Sequence, residues 1–153
     1  MSLCITTPIQ ILNPTNSGSK CKNRSSFRKR VSTIVVDPKD KFKILLISSK
    51  KNHQKWKLPG GGIECDESIT STAIRETLEE AGVDGRVDKY VGDYENPIKK
   101  TLTYVVTLIS DNLYDSWDED ERNRGWFSLY SAFEKLESDD REMLFDYIYS
   151  VII

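Results

Sequence analysis

The chain has 153 residues, of which 38% are hydrophobic and 30% are charged, and its net charge is −2. This composition is too apolar for a disordered chain, and the longest apolar runs are far shorter than the roughly 20 residues that span a bilayer. Three cysteines without a CxxC pair and a single histidine argue against a disulfide framework and a structural zinc site. We therefore expect a reducing, intracellular location, in the cytoplasm or also in the nucleus.

The charge is distributed unevenly along the chain. Residues 1–36 carry six basic residues and no acidic one, so the remaining residues sum to −8. A basic arm on an acidic body indicates an anionic ligand or an address signal. A mitochondrial transit peptide is the less favoured explanation, because Pro8 and Pro14 interrupt the amphipathic helix that such peptides need. We assign 1–26 to a partly flexible N-terminal tail and 27–153 to one folded domain.

The hydrophobic pattern predicts strands at 31–36 and 43–47, which the turn residues at 37–40 join into a hairpin. Asp66 or Ser68 can cap a helix that runs to about Ala81, where Gly82 is expected to end it. Further strands are predicted at 86–94, 102–110 and 125–129, helices at 132–136 and 141–152, and a solvated acidic loop at 111–121. This order of elements predicts an α+β protein, built as an α/β/α sandwich.

The most informative segment joins three glycines, Gly60 to Gly62, to a helix rich in glutamate. On a helical wheel, Glu76, Glu79 and Glu80 share an arc of about 100°. Carboxylates this close repel one another unless a cation or a shared proton relieves them, and oxygen ligands favour magnesium or manganese. Glycine allows a close approach of the backbone to a ligand and can offer a carbonyl oxygen. The segment therefore predicts metal-assisted cleavage or transfer of phosphoanhydrides.

Each half of this pattern also has a simpler explanation, because acidic helix faces are often only solvated and a triple glycine is a weak signal. The spacing decides between the two. Seven positions are fixed relative to one another: Gly61, Glu67, Arg75, Glu76, Glu79, Glu80 and Gly82. At residue frequencies of roughly 7% each, such a match arises by chance about once in a hundred million windows. This arrangement resembles the signature box of the Nudix hydrolases.

The resemblance implies the Nudix fold, a mixed sheet between helices, and a role for each residue of the box. Glu76 and Glu80 would bind the metal together with the carbonyl group of Gly60. Glu79 would be the general base, and it forms the catalytic set with Glu67, which supports the cluster, and Arg75, which holds a catalytic carboxylate in position.

The implied cofactor is Mg²⁺, with Mn²⁺ as a substitute, and the implied reaction is the attack of an activated water on a diphosphate. One position departs from the box, because Thr77 stands where an aliphatic residue is usual. We expect a packing adjustment there.

Beyond the box, the chain resembles the diphosphoinositol polyphosphate phosphohydrolases over roughly residues 28–137. The matching segments are 28–30, 46–51, 55–56, 59–62, 79–85, 103–105 and 122–127. The resemblance implies hydrolysis of diphosphoinositol polyphosphates and of diadenosine hexa- and pentaphosphate. A substrate with many phosphates needs many cationic partners. The residues predicted to bind it are Arg28, Lys29, Arg30, Ser49, Lys50, Lys51, Gly61, Lys99, Lys100, Arg122 and Arg124.

Several positions where this subfamily has Arg or His differ here, among them Lys51, Lys99 and Thr101. Lysine lacks the bidentate fork of arginine, which favours looser discrimination among inositol phosphates and leaves a preference for dinucleoside polyphosphates open. Two competing hypotheses are a nucleotide-sanitising or mRNA-decapping Nudix enzyme and a non-catalytic phosphate-binding module. We expect a monomer with a small-molecule polyphosphate substrate and neither a membrane nor a nucleic-acid partner, although the basic tail leaves RNA open.

Overall fold

The computed structural model describes residues 27–153, so the predicted N-terminal tail lies outside the described residues. The elements are β1 (Arg28–Asp37), β2 (Asp40–Ser48), β3 (Trp56–Lys57), β4 (Gly60–Gly62), α1 (Ile69–Ala81), β5 (Val83–Asn96), β6 (Thr101–Leu113), β7 (Arg124–Ser128), α2 (Leu129–Lys135) and α3 (Ser138–Ile152). Within this range no helix is both long and apolar enough to cross a membrane.

The described strands form one mixed sheet with the order β3-β2-β1-β6-β5, to which β4 is added beside β1 and β7 beside β2. The predicted hairpin is present, because β1 and β2 pair antiparallel. The exception to antiparallel pairing is β1 with β6, which run parallel in the register Ser32 to Val105. Because β1 is paired along both edges, its backbone groups are satisfied in the interior of the sheet.

Helices cover both faces of this sheet, which confirms the predicted sandwich. On β1, Ile34 and Val36 join the core under α2 and α3, whereas Val31 and Val35 join the cores under α1. Strands that are buried on both faces need apolar residues at successive positions rather than alternating ones. The continuous run Ile44–Ile47 in β2, which is fully buried, has this cause.

Helix α1 begins and ends close to the predicted residues because its caps are local in sequence. The side chain of Ser68 accepts a hydrogen bond from the backbone N–H of Ser71 at 3.0 Å. At the other end Gly82 adopts φ 66°, a left-handed conformation, and its N–H donates to the carbonyl of Leu78. Of the two predicted N-caps, Ser68 is correct, and Asp66 lies in the preceding turn with φ 63°.

Two segments differ from the sequence-based expectation. The glycines at 60–62, for which the sequence pattern predicted no strand, form the strand β4, paired antiparallel with β1. The acidic stretch is anchored to α1 at two points: the indole of Trp117 donates to the carbonyl of Glu80 at 3.0 Å, and the N–H of Glu119 donates to the carbonyl of Glu79 at 3.0 Å. Since these carbonyls lie in the last turn of α1, the stretch supplies partners that the helix itself cannot provide.

Candidate active site

The glycine strand β4 lies directly against the carboxylates of α1. A Cβ atom at Gly61 would lie 2.2 Å from Oε2 of Glu76, which leaves room for no other residue unless Glu76 moves. The N–H of Gly60 donates to Oε1 of Glu80 at 2.9 Å. A Cβ at Gly60 would in turn lie 2.4 Å from the carbonyl oxygen of Val31 on β1. The glycines therefore allow the backbone of β4 to approach both β1 and two of the three predicted site glutamates closely.

Arg75 lies at the centre of the cluster and contacts several of its carboxylates as well as the glycine strand. Its Nε donates to Oε2 of Glu67 at 2.6 Å, and its Nη2 donates to Oε1 of Glu67 at 3.0 Å and to the carbonyl of Gly62 at 3.1 Å. Its Nη1 lies 3.1 Å from Oε2 of Glu76 and 3.4 Å from Oε1 of Glu79. A planar guanidinium can make such forked contacts in several directions at once, which an ammonium cannot. Arg75 thus fixes the carboxylates of Glu76 and Glu79 relative to the glycine strand.

The pKa values in the cluster follow from these contacts. The hydrogen bonds from Arg75 hold the pKa of Glu67 at about 2, despite an opposing effect of burial, and Glu67 raises the pKa of Arg75 above its ordinary value. Burial raises the pKa of Glu76, and the neighbouring Glu80 adds to the shift. Burial also raises the pKa of Glu79, against the opposing effect of Arg75. Glu67 is therefore a fixed anion, whereas Glu79 holds a proton more readily than an ordinary glutamate.

Glu80 is the most enclosed of the three glutamates, with 9% of its side chain exposed. Besides the bond from Gly60, its Oε1 lies 4.0 Å from Nζ of Lys57, and its Oε2 lies 3.6 Å from Nη2 of Arg122. An enclosed carboxylate needs such partners because its charge has been removed from water.

Arg122 was predicted to bind substrate, but the structure places it inside the protein with 7% of its side chain exposed. Its Nε donates to Oε1 of Glu119 at 2.9 Å and its Nη1 to the carbonyl of Ser48 at 2.8 Å. These contacts, together with Glu80, give Arg122 a role in holding a carboxylate of the site. Its assignment to a substrate phosphate stays a prediction.

Arg124, also predicted to bind substrate, lies at the C-terminal end of α1. Its Nη1 donates to the carbonyl of Ala81 at 2.7 Å, its Nη2 donates to the carbonyl of Tyr114 at 2.6 Å, and its guanidinium lies 4.1 Å from the ring centroid of Trp117. A positive charge is favourable at this end of a helix. The structure thus gives Arg124 the position of a helix-capping residue, and its contact with substrate stays a prediction.

The carboxylate oxygens of the cluster are the kind of ligand that hard divalent cations prefer. Glu76 and Glu80 are one helical turn apart on α1, Glu76 next to Gly61 and Glu80 next to Gly60, and their carboxylates raise the local density of negative charge. Among residues 27–153, however, no group of three or more His, Cys, Asp or Glu side chains is already arranged to hold a metal ion. In the structure, the guanidinium groups of Arg75 and Arg122 balance this charge.

A cavity of about 420 Å³ approaches the carboxylate cluster through Lys57, which lines the cavity and whose Nζ lies 4.0 Å from Oε1 of Glu80. Its basic lining residues are Arg28, Arg30, Lys55, Lys57 and Lys99, and Ser49 and Trp56 also contribute. Burial and the adjacent Arg28 lower the pKa of Arg30, while Asp140 and then Glu80 and Glu76 oppose that shift, so Arg30 lies within the field of these carboxylates. Arg30 and Lys57 therefore link the basic cavity electrostatically to the glutamates.

The predicted phosphate ligands divide into two groups. Arg28, Arg30, Ser49 and Lys99 line the cavity, whereas its described lining does not include Lys29, Lys50, Lys51 or Lys100. Lys50 instead lies 3.8 Å from Glu121. Lys55 and Lys57 line the cavity without having been predicted. Lys57 stands close to the glycines in the sequence, but only the structure shows that its ammonium lies 4.0 Å from Glu80.

Comparison with known proteins identifies this arrangement. Residues 26–147 match the model of the NUDIX domain. The chain belongs to the Nudix hydrolase family. Nudix hydrolases generally use a divalent metal.

Among curated proteins, this Nudix hydrolase is 33% identical over 118 residues to diphosphoinositol polyphosphate phosphohydrolase 2 of Homo sapiens and of Mus musculus. It is 34% identical over 115 residues to diphosphoinositol polyphosphate phosphohydrolase 3-alpha of Mus musculus. These alignments cover 75% and 72% of this chain, and 66% and 70% of the relatives. The chain thus spans about two thirds of the length of these relatives.

Solved structures support the fold. A NUDIX hydrolase from Nitrosomonas europaea aligns with a TM-score of 0.69 at 20% identity, covering 81% of this chain and 90% of that one. The E. coli ORF135 protein aligns with a TM-score of 0.63 at 22% identity and the same coverage. At this identity the likeness concerns the fold, and it confirms the prediction of a mixed sheet between helices.

Proposed function

We propose that this Nudix hydrolase cleaves phosphoanhydride bonds in diphosphoinositol polyphosphates and in diadenosine polyphosphates. The observation that carries the proposal is the basic cavity beside the carboxylate cluster, linked to it by Arg30 and by the 4.0 Å approach of Lys57 to Glu80. The names of the curated relatives support the inositol substrate. A polyphosphate could place its reacting diphosphate at the glutamates and its remaining phosphates among the lysines and arginines of the cavity.

Magnesium is the cofactor we propose, held by Glu76, Glu80 and the carbonyl of Gly60. It would neutralise charge on the diphosphate and acidify a water molecule. The other tasks belong to the side chains of the cluster. Arg75 holds Glu79 through its contact at 3.4 Å and keeps Glu76 beside the glycine strand.

Glu79 is the proposed general base. Its side chain is 40% exposed, so that water can reach it, and its raised pKa favours acceptance of a proton. In the proposed reaction the oxygen of water bonds to phosphorus, its proton passes to an Oε atom of Glu79, and the anhydride P–O bond breaks. The released phosphate retains the electron pair of that bond, and its negative charge lies near the basic residues of the cavity.

The test is a side-by-side measurement of kcat/KM for diphosphoinositol pentakisphosphate and diadenosine hexaphosphate with magnesium, using Glu79→Gln as the blank. Cleavage of both substrates by the wild type, and of neither by the blank, is the expected result. Cleavage of the dinucleotide alone would remove the inositol pyrophosphates from the proposal. If neither is cleaved, the proposed substrates are wrong, and capped RNA is the next substrate to assay.

A further inference from the structure

One wall of the basic cavity carries the opposite charge. It is formed by Glu137, Asp139 and Asp140, at the N-terminal end of α3. Nζ of Lys55 lies 3.2 Å from Oε2 of Glu137, and Nζ of Lys99 lies 3.8 Å from Oδ2 of Asp139. Two of the five basic side chains of the cavity are therefore already paired with acids of α3.

The structure ties this wall to the cavity. Oδ2 of Asp139 accepts a hydrogen bond from the side chain of Asn96 at 2.8 Å, and Oδ2 of Asp140 accepts one from the backbone N–H of Leu58 at 3.0 Å. Asp140 reaches the segment between β3 and β4, directly next to the glycines. The acids thus keep a fixed position relative to the site.

Stability of the fold does not explain the two ion pairs. The four side chains that form them are between 50% and 70% exposed, and exposed pairs contribute little to folding. The first turn of a helix would otherwise offer its free N–H groups to an anion. With Glu137, Asp139 and Asp140 in place, this end of α3 instead repels phosphate.

We propose that the acidic N-terminal end of α3, through its N-cap residue Glu137 and through Asp139 in its first turn, determines specificity by favouring linear polyphosphate chains over densely phosphorylated rings. This inference rests on the proposed function. A ring that carries a phosphate on every carbon directs charge toward all walls of the cavity, including the acidic one, and must also break the pairs of Lys55 and Lys99. A linear chain can extend along Arg28, Arg30 and Lys57 and leave the acids in place.

The experiment compares two double variants. The cavity variant combines Glu137→Gln and Asp139→Asn, and the control variant combines Glu134→Gln and Asp111→Asn. Both remove one Glu and one Asp charge, but Glu134 and Asp111 are exposed and do not line the cavity. Asparagine at 139 keeps an oxygen that can accept the bond from Asn96. Binding of inositol hexakisphosphate and of inorganic tripolyphosphate to the full chain is measured by calorimetry in EDTA, and thermal melting confirms folding.

The cavity variant is expected to bind inositol hexakisphosphate about 10-fold more tightly than the wild type and tripolyphosphate no more than about 3-fold more tightly, since two weak pairs and two repulsive charges are removed. The control variant should change either affinity less than about 2-fold, because exposed distant charges are screened. Equal gains for both probes, an equal gain in the control, or no binding of either probe would overturn the inference. Absence of hydrolysis by the wild type would refute the proposed function without changing these binding ratios.

Discussion

The substitution Gly61→Ala tests whether the glycine strand exists to admit a carboxylate. The new Cβ would lie 2.2 Å from Oε2 of Glu76, whereas ordinary contacts begin at 3.4 Å, so the oxygen must move by about 1.2 Å. A displacement of this size in a catalytic group costs about 100-fold in rate, which corresponds to about 2.7 kcal/mol in the activation barrier. The fold should lose less than about 1 kcal/mol, because the end of a flexible side chain can yield and Gly61 does not have a positive φ.

The two neighbouring glycines provide matched controls. A Cβ at Gly62 would lie 3.6 Å from the nearest atom, Nη1 of Arg28, so Gly62→Ala should keep nearly normal activity. A Cβ at Gly60 would lie 2.4 Å from the backbone oxygen of Val31, so Gly60→Ala should lower the free energy of unfolding instead. The assay is kcat as a function of magnesium concentration, with urea unfolding for stability. Normal kcat and normal magnesium dependence in Gly61→Ala would refute the reasoning, as would equal losses in Gly61→Ala and Gly62→Ala.

Four further outcomes follow from the contacts of the cluster. Glu79→Gln should reduce kcat by about 10² to 10⁴, with unchanged thermal melting; nearly normal turnover would exclude Glu79 as the base. The pKa of Glu67 is lowered to about 2, so its contribution to stability is complete above pH 4.5 and is lost as the pH falls toward 2. Urea titrations of wild type and Glu67→Gln should therefore differ by about 1–2 kcal/mol at pH 6, after allowance for solvent screening, and converge near pH 2; a constant difference would contradict this. Arg122→Met leaves Glu80 without a cation at 3.6 Å and should destabilise the metal-free protein by about 2–4 kcal/mol, with a smaller loss when magnesium is added; equal losses would argue against metal binding by Glu80. Thr77→Val should raise the free energy of unfolding by about 1 kcal/mol without changing kcat, because the buried Oγ1 of Thr77 finds no hydrogen-bond partner among residues 27–153; a loss of stability would show that the hydroxyl is satisfied.

Local signals explain what the sequence could predict. The caps of α1 at Ser68 and Gly82 act on residues within one turn, so the helix bounds were accurate. The contact of Arg75 with Glu79 at 3.4 Å is equally local, because residues four apart lie on the same face of a helix. The apolar runs at 31–36 and 43–47 likewise indicated the strands β1 and β2.

Contacts between distant parts of the chain explain what the sequence could not predict. Arg122 and Arg124 lie in a segment rich in charge that suggested phosphate binding, yet their partners include backbone carbonyls of Ser48 and Ala81, which no spacing rule connects to them. The acids of α3 had the pattern of an ordinary helix start, where negative charge is favourable. Only the docking of α3 against the segment around Leu58 places them at the cavity.

The parallel pairing of β1 with β6 has a consequence for how the enzyme matures during synthesis. Val105 follows its partner Ser32 by 73 residues, and closing a loop of this length costs about 4 kcal/mol of chain entropy. The β1–β2 hairpin and the glycine strand can associate early, but until β6 has left the ribosome the second edge of β1 remains open to foreign strands. By pairing with β1, strand β6 completes the sheet that holds the glycine strand. The same pairing closes the edge at which a nascent chain is most exposed to aggregation.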